Sequence, residues 1–179
     1  GMLDLDILKT DMVQLFEDSI DIVKFAAAEK DIELLLDIDP AMPRFGHVDA
    51  VRLKQILTNL LGNAVKFTLK GEVELKVSYQ AVNSDDGKLL VSVRDTGIGI
   101  SKEQQSKLFK SFSQADNSTT RKFGGTGLGL IISQLIAEKM DSTININSTE
   151  GIGTVFSFEI TTRFEAGEKQ DYTKIEGVK

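Results

Sequence analysis

The sequence predicts an α/β fold, a two-layer sandwich in which helices cover one face of a mixed sheet. Apolar residues at helical spacing alternate with strand-like segments in the order α-β-α-β-β-α-loop-α-β-β. The composition is globular, with 41% hydrophobic and 27% charged residues among 179, which suits one domain around one core. Helices and strands interspersed in this order bury their apolar faces by packing in two layers.

The first part of the chain contains two predicted helices separated by a strand. Residues 11–30 carry an apolar stripe at helical spacing. Residues 32–39 alternate as a strand does, and a turn from Pro40 to Pro43 ends them. Residues 48–68 are the strongest predicted helix. Its expected core face consists of Leu53, Leu57, Leu60, Ala64 and Phe67.

The second part of the chain contains most of the predicted strands. Residues 72–82 and 88–95 read as two strands joined by the hairpin sequence NSDDG. Residues 101–112 read as a helix with Ser101 as its N-cap. The remaining segments are a polar, glycine-rich loop over 113–126, a helix over 127–140, strands over 143–148 and 153–164, and a charged tail from about residue 164.

Composition excludes several classes of protein. The net charge of −6 and the isoelectric point near 4.9 argue against a nucleic-acid-binding surface. The absence of cysteine excludes disulfides and thiolate metal sites, and fits a reducing compartment. No apolar run approaches the roughly 18 residues of a membrane span, and no signal peptide is visible. Gly1 and Met2 resemble the remnant of a cleaved tag, so we expect a fragment of a longer protein.

The helix over 48–68 carries an unusual polar stripe beside its core face. Arg52, Asn59, Asn63 and Lys66 fall together there. Asparagine is a weak helix former because its amide competes for backbone hydrogen bonds. The stripe is either a solvated flank or the wall of a polar pocket. In a pocket, amide oxygens could ligate Mg²⁺ and a lysine could meet a phosphate.

The sequence VRDTGIGI ends a predicted strand on Asp95, with Gly97 and Gly99 following. Aspartate and glycine are common in turns at strand ends, and that reading is sufficient by itself. Alternatively, Asp95 accepts a hydrogen bond from a buried ligand amine. The two glycines would then let the backbone approach a flat ring.

The sequence RKFGGTGLGLII, residues 121–132, brings a glycine-rich loop to the start of a helix. Such a loop is either a flexible turn or an anion site, where free N–H groups and the positive end of the helix dipole converge. Arg121 and Lys122 add positive charge. The spacing matches neither the Walker A loop nor the dinucleotide fingerprint, and the protein-kinase motifs are absent.

Taken together, four ordered stretches resemble the N, G1, F and G2 boxes of sensor histidine kinases. They are QILTNLLGNAVKFT, DTGIGI, LFKSFSQAD and FGGTGLGL, and the resemblance covers residues 3–163. It implies the catalytic, ATP-binding domain shared with DNA gyrase, HSP90 and MutL-type ATPases, a Bergerat-type (GHKL) sandwich with a mobile ATP lid. Residues 164–179 would be a linker. The stretch NSTTRKFGGTGLGL resembles the hybrid kinases in particular.

The resemblance implies roles for individual residues. For the Mg²⁺ and phosphate end it implies Asn63 as the metal ligand, Asn59 and Lys66 near the phosphates, Arg121 and Lys122 in the lid, and Gly125, Thr126, Gly127, Leu128 and Gly129 around the phosphates. Among these, Asn59, Lys66 and Arg121 would be catalytic. For the adenine end it implies Phe67, Asp95, Gly97, Gly99, Ile100, the F-box residues Phe109 and Phe112, and Thr154, which would assist Asp95 through a water.

Three features of the sequence bear on the expected activity and on local structure. The hydrolytic relatives carry a glutamate where this chain has Asn59, so we expect phosphoryl transfer and not efficient hydrolysis. The acceptor histidine is missing, because His47 lies outside the acceptor context and is expected in the loop before the helix over 48–68. We therefore expect no autophosphorylation. In the sequence KMDSTI, Asp141 and Ser142 replace the usual Gly-Gly and should change only a turn.

The expected partners follow from the resemblance. They are ATP or ADP with Mg²⁺, a histidine-bearing dimerisation domain of the full-length chain, and a response regulator or receiver domain. We expect a monomeric cytoplasmic fragment of a dimeric protein, with membrane anchoring of the full-length chain left open. The alternatives are a nucleotide-gated interaction module without transfer activity, and a GHKL ATPase.

Overall fold

The computed structural model describes residues 4–114 and 125–165, with side-chain environments for 4–108 and 129–165. The helices are α1 (Met12–Glu29), α2 (Ala50–Lys66), α3 (Lys102–Gln114) and α4 (Gly125–Lys139). The strands are β1 (Leu8–Asp11), β2 (Ile32–Ile38), β3 (Phe45–Val48), β4 (Gly71–Ala81), β5 (Asp86–Asp95), β6 (Asn145–Thr149) and β7 (Gly153–Arg163).

A five-stranded mixed sheet of order β2-β4-β5-β7-β6 forms the framework. The β2–β4 pair is parallel, and the other three pairs are antiparallel. Helix α1 packs on β2, α2 packs on β4 and β5, and α4 packs on α2. The predicted fold class, a mixed sheet covered by helices, is confirmed.

The register of the central strands explains why one face of the sheet is apolar. Val77, Val91 and Phe158 lie opposite one another across β4, β5 and β7, and all three are buried. Residues between these inward positions point to the other face, where Arg94 pairs with Glu72. Because side chains alternate along a strand, this fixes which face receives the helices. Among the described residues, no helix combines the length and the hydropathy needed to cross a bilayer.

The helix ends follow from side-chain capping. Asp49 caps α2 by accepting the backbone N–H of Arg52 at 3.0 Å. Ser101 caps α3 by accepting the N–H of Gln104 at 3.2 Å, which confirms the predicted N-cap. Helix α2 ends at Lys66 with Phe67 as its C-cap. The prediction of Phe67 on the core face was wrong, since its side chain is 38% exposed.

Two short strands were missed by the sequence analysis. β1 and β3 have four residues each and pair antiparallel, with Leu8 opposite Val48. The placement of His47 in a loop was therefore wrong, because it lies on β3. Strands this short carry no readable alternation, and their pairing joins distant parts of the chain.

The predicted loop over 113–126 is shorter at both ends. Helix α3 continues to Gln114, and α4 begins at Gly125. Residues 115–124 of the predicted lid lie outside the described residues. The apolar segment that follows the glycines extends the helix backwards, so Gly125 and Thr126 belong to its first turn.

The fold continues through Glu165, past the predicted start of the tail. Phe164 is buried and packs edge-to-face on Tyr79, with ring centroids 5.4 Å apart. Glu165 contacts His47, with Oε2 and Nε2 separated by 2.5 Å. The contact between Glu165 and His47 ties the end of β7 to the short β1–β3 sheet.

Asp141 ends α4 in the left-handed region, with φ of 58°. Its N–H donates to the Glu138 carbonyl at 3.1 Å, and the Ser142 N–H donates to the Ala137 carbonyl at 2.8 Å. This is the hydrogen-bond pattern of a Schellman cap, where glycine is usual and aspartate is tolerated. The departure from the family pattern thus serves a local turn, as the sequence analysis expected.

Candidate functional site

A cavity of about 360 Å³ opens where α2, β5 and β7 come together at one end of the sheet. Separate parts of the chain contribute to its wall. The lining residues are Asn63 and Phe67 from α2 and its C-cap, Asp95, Ile98, Gly99 and Ile100 from the end of β5 and the loop after it, Gln104, Lys107 and Leu108 from α3, Leu130 from α4, and Thr154 and Phe156 from β7.

Asp95 places a carboxylate at the end of this cavity. It is the last residue of β5, sits opposite Thr154 on the inward face and is 6% exposed. Its Oδ1 accepts the N–H of Gly97 at 2.9 Å. Burial raises the pKa of Asp95 above its ordinary value of 3.8, and this outweighs the opposing effect of the N–H groups. A buried acceptor of this kind is complementary to a donor on a ligand.

Asn63 places an amide on another wall of the cavity. It lies on the last turn of α2 and is 9% exposed. Among the described residues, no group hydrogen-bonds its side chain, although its backbone carbonyl accepts the N–H of Phe67. Buried amides in folded proteins are almost always hydrogen-bonded. A ligand or cation that meets this amide would satisfy it.

A hydroxyl pair lies beside Asp95. The Oγ atoms of Ser148 and Thr154 are 2.8 Å apart, and Ser148 also accepts the N–H of Ile100 at 2.8 Å. Ser148 therefore fixes both the threonine and the loop after β5. Thr154 and Ile100 were predicted from the sequence, whereas Ser148, which lies on β6 at the strand edge, was not.

The packing of neighbouring backbone segments requires the two glycines after Asp95, independently of any ligand. A Cβ on Gly97 would lie 2.2 Å from the Phe67 carbonyl oxygen, and one on Gly99 would lie 2.2 Å from that of Thr149. Gly99 also has φ of 74°, which side chains rarely adopt. From the sequence, the two glycines were expected either to form a strand-end turn or to let the backbone approach a ring-shaped ligand. The structure adds a nearer cause, the close passage of three backbone segments.

The polar stripe on α2 separates into different environments. Asn59 Nδ2 donates to the Gly129 carbonyl at 3.2 Å and to Ser133 Oγ at 3.0 Å, so this amide contacts α4. Lys66 is exposed, with Nζ 5.8 Å from the centroid of the Phe67 ring. Arg52 donates to Gln55 on its own helix. Only Asn63 of the stripe is among the residues that line this cavity.

Several predicted site residues cannot be compared with the cavity. Arg121 and Lys122 lie outside the described residues. The described side chains also do not include Phe109 and Phe112 on α3, nor Gly125, Thr126, Gly127 and Leu128 in the first turn of α4. Gly129 is described, and a Cβ built there would meet Asn59 at an ordinary 3.6 Å.

The apolar wall of the cavity was largely missed by the sequence analysis. Ile98, Leu108, Leu130 and Phe156 line it, together with the polar Gln104 and Lys107. Phe156 could have been found, because it lies two residues after Thr154 and shares its face of β7. Leu108 and Leu130 could not, since each comes from a helix whose position depends on tertiary packing.

The fold and the site define an α/β sandwich with a cavity at one end of its sheet. A family model described as "Histidine kinase-, DNA gyrase B-, and HSP90-like ATPase" matches residues 48–163. The chain belongs to this family.

The similar curated proteins are sensor and hybrid kinases. Sensor histidine kinase GacS of Pseudomonas protegens is 42% identical over 156 residues, which cover 87% of this chain and 17% of GacS. Signal transduction histidine-protein kinase BarA of Escherichia coli K12 is 38% identical over 160 residues, with 89% and 17% covered. The chain therefore spans 17% of the length of these relatives.

Solved structures agree with the fold. Full-length ShkA, crystallised in complex with AMPPNP, aligns with a TM-score of 0.75 at 30% identity, covering 94% of this chain and 34% of ShkA. The nucleotide-free catalytic domain of histidine kinase ThkA aligns with a TM-score of 0.66 at 25% identity, covering 87% of this chain and 95% of that one. Within its family, the chain has the architecture of a histidine kinase catalytic domain.

Proposed function

We propose that the cavity binds ATP with Mg²⁺ and that the domain presents the terminal phosphate to a histidine on a separate dimerisation domain. The observation that carries this proposal is that two buried polar groups lie on the wall of one cavity. The Asp95 carboxylate and the Asn63 amide both lie on its wall, and the described residues leave the amide unpaired. Family membership and the AMPPNP-bound neighbour support the same ligand.

The adenine ring fits the end of the cavity that contains Asp95. The carboxylate would accept a hydrogen bond from the exocyclic amine, with Thr154 beside it. Ile98, Ile100 and Phe156 supply apolar walls for a flat ring. Ligand cavities are mostly apolar, and a small number of polar groups fix the orientation of the ligand and give specificity. Asp95, a charged acceptor in an apolar wall, would serve as such a group.

The phosphates fit the end nearer α2 and the start of α4. Asn63 would ligate Mg²⁺ through its amide oxygen, since hard cations prefer oxygen ligands. Mg²⁺, when bound, neutralises charge on the phosphate oxygens. Asn59, Lys66 and Arg121 would contact the phosphates, together with Lys122 in the lid. The backbone over 125–129 would offer the N–H groups of a helix N-terminus.

Transfer is a better expectation than hydrolysis, because the described residues that line the cavity offer no free base to activate a water. Among the described residues that line the cavity, Asp95 is the sole carboxylate, and Gly97 already donates to it. Asn59 is an amide without useful basicity. His47 contacts Glu165 at the β1–β3 sheet, and on this proposal it is not the acceptor. The acceptor would be a histidine on the dimerisation domain, and a response regulator or receiver domain would take the phosphoryl group onward. On this proposal the fragment is a cytoplasmic monomer, and the full-length protein is a dimer.

Calorimetry with ADP and AMPPNP tests binding. We expect Mg²⁺-dependent binding to the wild-type chain, weakened at least about tenfold by Asp95→Ala because a hydrogen bond to a charged group contributes about 1.5–3 kcal/mol. Asn63→Ala should weaken binding in Mg²⁺ but much less in EDTA. The control is Asp37→Asn, which removes the charge of an exposed carboxylate on β2. No heat of binding with either nucleotide would contradict the proposal.

Transfer is tested with labelled ATP and a supplied histidine-bearing dimerisation domain. We expect label on that domain and none on the chain alone. Intact nucleotide binding with no transfer to the cognate domain would favour an interaction module. Steady-state hydrolysis by the chain alone would favour an ATPase.

A further inference from the structure

The Asn59 side chain is held by two groups on α4. Its Nδ2 donates to the carbonyl oxygen of Gly129 at 3.2 Å and to Ser133 Oγ at 3.0 Å. Gly129 and Ser133 are four residues apart, so they lie one above the other on the same face of the helix. Ser133 is fully buried, and its hydroxyl faces this amide and not water.

These contacts determine which end of the amide is used. A primary amide nitrogen carries two N–H donors, and both are taken by α4. Rotating the amide by half a turn would bring its oxygen against the Gly129 carbonyl, where two acceptors would face each other. A backbone carbonyl can only accept, so Gly129 admits the nitrogen alone.

The oxygen of Asn59 is the end that remains. Among the described residues, nothing hydrogen-bonds Asn59 Oδ1. Asn59 lies one turn before Asn63 on α2, so the two amides share a face of the helix. An amide oxygen can ligate a divalent cation or accept a hydrogen bond from its water, whereas the N–H groups of an amide would repel the cation.

We infer that Ser133 is a positioning residue for Asn59. It holds the Asn59 nitrogen towards α4, so that the oxygen faces the phosphate and Mg²⁺ end of the site. The inference rests on the proposed function, since it assigns the oxygen to that ligand. It also explains a fully buried serine in an apolar helix, which otherwise lowers stability relative to alanine.

The first test compares nucleotide binding in Mg²⁺ and in EDTA. Ser133→Ala should weaken AMPPNP binding in Mg²⁺ by about 3- to 10-fold, the effect of one neutral hydrogen bond, with little change in EDTA. Ser133→Thr, which keeps the hydroxyl, should restore the wild-type affinity for AMPPNP in Mg²⁺. The control is Ser19→Ala, because Ser19 is equally buried in a helix but donates to the Leu15 carbonyl of its own helix.

A general loss of stability would not produce this pattern. It would lower the melting temperature of both alanine variants and leave the ratio of Mg²⁺ to EDTA affinities unchanged. An unchanged ratio in Ser133→Ala would therefore overturn the inference.

The second test does not depend on nucleotide. In a ¹⁵N spectrum of the ligand-free chain, the Asn59 NH₂ protons should exchange slowly with water, and their signals are identified by their loss in Asn59→Ala. Ser133→Ala should speed that exchange, whereas Ser19→Ala should not. Equal exchange in wild type and Ser133→Ala would overturn the positioning role. If protection is confirmed but wild type binds no nucleotide, the proposed function fails and the orientation of Asn59 stands.

Discussion

The two ends of the central strands are built from different chemistry. At one end, β5 finishes on Asp95 and β7 starts beside Thr154, both buried polar residues at the edge of a cavity. At the other end, Phe164 closes over Tyr79 with its ring edge-on. The central strands β4, β5 and β7 thus have a closed apolar end and an open polar end.

On the proposed function, stability and nucleotide binding depend on different ends of this domain. The closed end gains free energy from burial of aromatic surface. The open end holds a carboxylate whose pKa is raised by burial, which means that its charged form is disfavoured in the folded chain. Changes at the closed end should affect unfolding, and changes at the open end should affect nucleotide binding.

The largest effect is expected at the closed end. Phe164→Ala removes a buried ring and should lower the free energy of unfolding by about 3–5 kcal/mol, as aromatic truncations in cores do. Urea unfolding measures it, with Phe25→Ala as the control because Phe25 is 86% exposed. Nucleotide affinity well below the melting temperature should not change. A large loss of affinity there would mean that the two ends are coupled.

An intermediate effect separates two glycines of the open end. Gly97→Ala forces a methyl group towards the Phe67 carbonyl and should destabilise the chain by about 1–3 kcal/mol, as overpacking does. The methyl group of Gly129→Ala would meet Asn59 only at an ordinary 3.6 Å, so this variant should stabilise α4 by up to about 1 kcal/mol, while nucleotide binding weakens.

Thermal unfolding and calorimetry of both variants measure this contrast. Destabilisation by Gly129→Ala would show that this glycine, like Gly97, is required by the fold. Unchanged nucleotide affinity in Gly129→Ala would remove the bare backbone from the proposed phosphate site.

The smallest effect concerns the charge on Asp95. Its raised pKa means that the folded chain binds a proton more readily than the unfolded chain, so the charged group disfavours folding above that pKa. Asp95→Asn should therefore melt at or above the wild-type temperature at pH 7. That advantage should shrink as the pH falls from above the raised pKa towards 3.8.

Nucleotide binding should follow the opposite trend. Wild-type affinity should fall as the pH drops through the pKa of Asp95. A protonated carboxyl group is a weaker hydrogen-bond acceptor for the ligand amine than a carboxylate is. Melting curves and calorimetry between pH 4 and pH 7 would test both trends together. A wild-type chain that gains stability over Asp95→Asn with rising pH would contradict the assigned role of burial.

Much of the fold was predictable because local sequence patterns indicate its longer elements. Helix α2 has a long apolar stripe and an aspartate cap, and both lie within one stretch of sequence. The β1–β3 pair was missed because Leu8 and Val48 meet only through tertiary pairing. The start of α4 was predicted late, since glycines conceal a helix whose packing against α2 stabilises it.

The candidate site was predictable to a similar depth. Sequence spacing placed Asn59 and Asn63 on one stripe, but it could not distinguish their environments. Their difference is decided by Gly129 and Ser133, which lie 70 and 74 residues away from Asn59 along the chain. Glycines 97 and 99 were recognised as special, yet their nearest cause, the carbonyls of Phe67 and Thr149, is visible only in the folded chain.

The sequence by itself determined the order of the longer elements, most of their apolar faces and the family, because periodicity, caps and ordered motifs are properties of contiguous residues. Only the tertiary structure decided which polar groups are left to bind. An amide or a carboxylate becomes available when burial removes water and the packed neighbours leave one of its atoms without a partner. That balance depends on segments far apart in the chain, as the amides of Asn59 and Asn63 show.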